Sequence, residues 1–71
     1  MTHRERQAVL DIAGGLLGHA VLCRNSAAIL TEHTLLPLGS EMAAALRVWA
    51  GQLEDWSAEL SELVLSTRLT R

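Results

Sequence analysis

Three histidines, one cysteine and a cluster of carboxylates are the side chains of this 71-residue chain with chemistry to offer. His19 and His33 fall on one helical line with Ser26 between them, and imidazoles so aligned could hold a metal. Fourteen residues separate them, about 21 Å along a helix axis, whereas a helical zinc pair needs histidines four apart. Within one chain they cannot share an ion; only a two-fold axis could bring copies from different subunits together. Cys23 could serve as a nucleophile, but a reactive thiolate needs a positive, accessible setting. It falls instead on an apolar line, where a thiol behaves as a small hydrophobe. Gly14, Gly15 and Gly18 could cradle a phosphate if they lay in a loop ahead of a helix, but they sit mid-helix. No Ser-His-Asp order with a recognisable turn motif is present. No catalytic, cofactor-binding or metal-binding residue is assigned, and the chain is expected not to be an enzyme.

The most distinctive polar feature is acidic. Glu54, Asp55, Glu59 and Glu62 crowd one side of the second half, with Arg47 at the border. Like charges three and four apart mildly destabilise a helix. The cluster is either a solvated face, with Arg24 as an inter-helix partner, or a docking strip for a protein with a basic surface. Such a strip steers association more than it adds affinity. Reversing Asp55 and Glu59 tests which of the two it is.

These residues must be positioned by two helices. The one proline, Pro37, sits almost centrally in Thr34-Leu35-Leu36-Pro37-Leu38-Gly39-Ser40, and proline disfavours helix in the residue before it. Ser40 is a good N-cap, with Glu41 in the first turn. Thr2-His3-Arg4-Glu5 fits a capping box, and Arg68 and Arg71 suit a helix C-terminus. The spacing predicts an all-α fold: two helices, about 4–33 and 41–68, in an antiparallel hairpin that forms a single domain over 1–71.

Each helix carries an apolar line at alternating four- and three-residue steps. The first has Val9, Ala13, Leu16, Ala20, Cys23, Ala27 and Leu30; the second has Met42, Leu46, Trp49, Leu53, Trp56, Leu60 and Leu63. That is a coiled-coil seam with small residues expected to face large ones. Folding the hairpin about Pro37 sets Trp56 opposite Gly18, and within about a turn of Gly14 and Gly15. Three glycines inside a helix cost about 1 kcal/mol each relative to Ala, and room for an indole would be the compensation. Trp49 falls near Asn25 and Ser26.

One hairpin cannot cover all of the apolar surface. Leu10, Ile12, Leu17, Val21, Leu22 and Ile29 lie outside the first seam, and Val48, Val64, Leu65 and Leu69 outside the second. The expectation is a homodimer forming a four-helix bundle, with Leu10, Leu17 and Val21 in the dimer interface.

Composition agrees. A chain of 7.7 kDa can bury only about 60% of its unfolded surface, yet 49% of its residues are hydrophobic, too many for disorder. A net charge of −2 argues against direct nucleic-acid binding. No apolar run approaches the roughly 20 residues of a membrane span, and Glu5 and Asp11 interrupt any signal-peptide pattern. A cytoplasmic location is the expectation.

The architecture resembles the very small all-helical proteins that bacteriophages and mobile elements use to inhibit host proteins, among them anti-CRISPR proteins and inhibitors of quorum-sensing regulators and pilus motors. The residues that carry the likeness are Ala13, Ala20 and Ala27 against Leu46, Trp49, Leu53, Trp56 and Leu60, joined through Pro37-Leu38-Gly39. The lysine-free, Ala/Leu/Arg-rich composition fits a high-GC bacterial or phage source. The resemblance implies a non-enzymatic homodimeric binder of a host protein, needing no cofactor. The alternative is a structural assembly module or small secretion-type chaperone that buries its apolar faces against an obligate partner.

Overall fold

The computed structural model describes the backbone of residues 1–33 and 38–69 and the side chains of residues 1–32 and 38–67. Two α-helices of 31 residues each, α1 (His3–His33) and α2 (Gly39–Leu69), pack against each other as a hairpin. Thr34–Pro37 of the expected turn, and Arg71 at the end, lie outside the described residues, as do the side chains of His33, Arg68 and Leu69. The hairpin is a rod of 55 × 16 × 12 Å.

The start of α1 is the capping box expected from Thr2-His3-Arg4-Glu5. The Glu5 amide donates to Thr2 Oγ1 and the Thr2 amide to Glu5 Oε1, both at 3.1 Å. Hydrogen bonds from the Thr2 amide and then the Thr2 hydroxyl hold the Glu5 carboxyl below its usual range, so the cap is complete above the ordinary carboxylate pKa. The carboxylate's share of it is lost as pH falls through the depressed value, while the bond from the Glu5 amide to Thr2 Oγ1 does not titrate. At α2 the expectation shifts by two residues. The Met42 amide bonds to the Leu38 carbonyl at 2.9 Å, which makes Leu38 the capping position and leaves Ser40 inside the first turn.

The seam of α1 is the one its spacing predicts. Ala13, Ala20, Cys23 and Ala27 are buried, and Val9, Leu16 and Leu30 are half-buried between them. The seam of α2 is not. Leu46, Leu53 and Leu60 face α1 as expected, but the residues that alternate with them are Ala43, Ala50, Ser57 and Val64. Met42, Trp49, Trp56 and Leu63, expected inside, stand 49%, 44%, 40% and 50% exposed. Relative to the expected seam, α2 is turned by about 50°, half of the 100° between successive residues. Small residues therefore face small residues, which permits close approach of the two backbones. A hydrogen bond uses that closeness: Ser57 Oγ, buried in the seam, donates to the Ala13 carbonyl across the interface at 2.8 Å.

The turning of α2 removes the indole from the glycines. A Cβ added to Gly14, Gly15 or Gly18 would have no neighbour within 4 Å, so these residues do not make room for Trp56. With space open, helix propensity decides. Gly14→Ala and Gly18→Ala are each expected to stabilise the fold by up to about 1 kcal/mol, read as a rise in the thermal midpoint by circular dichroism. A loss at either site would mean that something outside the hairpin needs the bare backbone.

Candidate functional site

The two flanks of the seam differ in chemistry. Residues seven apart share a helix face, so Leu10, Leu17, Arg24 and Thr31 form one line on α1, and Arg47, Glu54 and Ser61 one on α2. These lines meet along the first flank. Arg24 grips the Glu54 carboxylate with both arms, Nη2 to Oε1 at 2.6 Å and Nε to Oε2 at 3.1 Å, and Arg47 Nη2 donates to Thr31 Oγ1 at 3.1 Å. The hydrogen bond to Arg24 pulls the Glu54 carboxyl below its usual range, and Glu54 raises the guanidinium in return. Both side chains are roughly half-exposed. The pair therefore fixes which lines of the two helices meet more than it stabilises them.

The acidic strip is divided by this arrangement. Glu54 turns toward α1 and belongs to Arg24, and Arg47 turns to Thr31. Asp55, Glu59 and Glu62 are exposed. Asp55 and Glu62, seven apart, occupy one line, whereas Glu59 lines a groove on the second flank. Of the five residues proposed from sequence, then, Asp55 and Glu62 remain as an acidic line and the other three have neighbours of their own.

The second flank carries the line Met42, Trp49, Trp56 and Leu63. The two indoles meet edge to face, 5.5 Å between centroids and 90° between planes, the arrangement that aromatic quadrupoles favour. Beside them a groove of about 500 Å³ runs between the helices, lined by Leu16, Trp56, Glu59, Leu60 and Leu63. On α1 the neighbouring lines contribute Ile12, Leu22 and Ile29, 57%, 62% and 60% exposed. The expected dimer residues Leu10, Leu17 and Val21 are also exposed, at 40%, 49% and 55%. Leu10 and Leu17 share their line with Arg24, so they border the polar flank.

Sequence reasoning placed Trp49 and Trp56 in the core and so missed this face. The signal that finds it is the line Ala43, Ala50, Ser57, which repeats on α2 the small-residue spacing of Ala13, Ala20 and Ala27 on α1.

Cys23 is free and buried, packed with Ala20, Ala50 and Leu53. His19 is exposed. Among the described residues no three His, Cys, Asp or Glu side chains group as metal ligands, and no described helix is long and apolar enough to cross a membrane. Comparison with protein-family models, with curated proteins and with solved structures gives no match for this chain.

Proposed function

We propose that this chain is a non-enzymatic protein–protein interaction module: a cytoplasmic homodimer that binds and inhibits a host protein. One observation carries the reading. The hairpin closes on a seam rich in small residues and leaves large apolar side chains such as Leu17, Leu22, Ile29, Trp49 and Leu63 between 44% and 62% exposed along its flanks, and clustered exposed apolar side chains mark interaction surfaces. Surface of that kind functions by being covered. The likeness to small phage-encoded helical inhibitors supports the choice of a host protein as target.

The contact with the target is assigned to the acidic line of α2. Asp55 and Glu62 have neither the ion pair of Glu54 nor a place in the groove, and a dimer would display them twice, for bivalent contact. The test is a tagged pull-down from host lysate with wild-type protein and with Asp55→Lys/Glu62→Lys. Glu59 is left unchanged because it lines the groove. The expected result is a protein captured by the wild type and lost from the double variant, most completely at low salt where charge steering is strongest. Equal capture by both forms would move the contact to the apolar flanks.

A further inference from the structure

The orientation of α2 leaves Met42, Trp49, Trp56 and Leu63 about half-exposed on the second flank. Fully burying a large apolar side chain is worth roughly 1.5–3 kcal/mol, so a surface that covers this line has part of that still to gain at each of the four.

We propose that a second copy of this chain covers the Trp49–Trp56 flank, giving a four-helix bundle with Trp49, Trp56 and Leu63 at its centre. The assignment rests on reading the chain as an interaction module and names the surface and the occupant. Area supports a second copy. The chain exposes 5268 Å², whereas a compact monomer of its mass exposes about 4,300 Å². The excess, roughly 900 Å² over the whole 55 × 16 × 12 Å rod, leaves room for the roughly 800 Å² per partner that a standard stable interface removes. Shape supports it as well. A two-fold interface must be self-complementary, and this flank holds both a ridge, the Trp line, and a groove, beside Leu16 and Leu60.

Charge separates the two flanks. The first is occupied by the Arg24–Glu54 and Arg47–Thr31 bonds, and an interface there would have to desolvate or displace them. Among the described residues, the second has Glu59 as the one carboxylate lining its groove. Its α2 side is apolar and aromatic, the composition of an interface core, and on α1 the polar His19 and Ser26 share the line of Ile12. Asp55 and Glu62 stay outside it, on the outer line of α2.

The sequence supplies a built-in reporter. With no Tyr or Phe, the fluorescence comes from two tryptophans, both on this flank. Sedimentation equilibrium and fluorescence are measured over a dilution series of the wild-type chain. The expected mass is twice 7.7 kDa, falling to one chain on dilution, with a red shift of the indole emission that follows the mass. Trp56→Glu should raise the dissociation constant at least about thirtyfold, as loss of an interface hot spot does. It should keep its helical circular dichroism, because Trp56 lies outside the seam. Leu17→Glu, on the polar flank, should dimerise as the wild type does.

A chain that stays monomeric up to about 100 μM overturns the proposal, as does a dimer whose emission ignores dissociation. So does one broken by Leu17→Glu and kept by Trp56→Glu. Failure here differs from failure of the functional reading. A monomer that still captures a partner through Asp55 and Glu62 loses only the second copy. A dimer through this flank with no such partner loses only the target.

Discussion

Replacing Leu53 by Ala is expected to destabilise the hairpin by about 2–5 kcal/mol, the range for emptying a buried aliphatic site. Leu53 is 3% exposed and packs with Ala20, Cys23 and Ala50, flanked by Leu16 and Leu46. Its surroundings have little with which to fill the void, because three of them are already small. A domain of this length holds roughly 4–11 kcal/mol in total, so the loss removes a large share of it. Leu63 offers the contrast. Hydrophobic spacing alone assigns it to the same seam, but it is 50% exposed. In monomeric protein, Leu63→Ala should therefore cost much less than Leu53→Ala. Urea unfolding of both variants, followed by circular dichroism, decides the matter. Equal losses from the two leucines in the monomer would contradict the seam described here.

Enlarging Ala50 should be almost as damaging. Ala50 is fully buried against α1, beside Ala20 and Cys23. A leucine there has no space to enter without prising the helices apart or turning α2, and overpacking of this kind costs about 1–3 kcal/mol. Leu and Ala have nearly equal helix propensity, so the effect is one of packing. Ala58→Leu, on the exposed side of α2, carries the same propensity change and should be close to neutral. For a chain of this size each kcal/mol moves the thermal midpoint by about 4–8 °C, which differential scanning calorimetry resolves easily. If Ala50→Leu were the more stable of the two variants, the large side chains of α2 would have to belong inside.

Much of the hairpin follows from local chemistry. Thr2 and Glu5 announce the start of α1 because hydroxyl and carboxylate, three apart, satisfy each other's amides. The α1 seam is legible in full because only one line of α1 keeps unbroken four-three spacing. The approximate end of α1 and start of α2 are legible because Pro37 disfavours helix before it. The site was only partly legible. Its acidic residues are visible in sequence, but the pairing of Glu54 with Arg24 depends on which faces of the two helices meet. No spacing within either helix sets that. The groove beside Trp56 was invisible for the same reason.

What the sequence by itself determined is therefore the pair of helices and the small-residue seam of α1. These follow from periodicity, capping and composition, each a property of one segment at a time. What only the tertiary structure decided is the rotation of α2 about its own axis. Two stripes on α2 share Leu46, Leu53 and Leu60, and hydrophobicity ranks the one with Trp49 and Trp56 above the one with Ala50 and Ser57. Facing the Ala13–Ala20–Ala27 line, the smaller stripe wins, because it lets the backbones approach and gives Ser57 a carbonyl at Ala13. Size complementarity between two surfaces is a property of the pair. It places Trp49 and Trp56 outside the seam, 44% and 40% exposed.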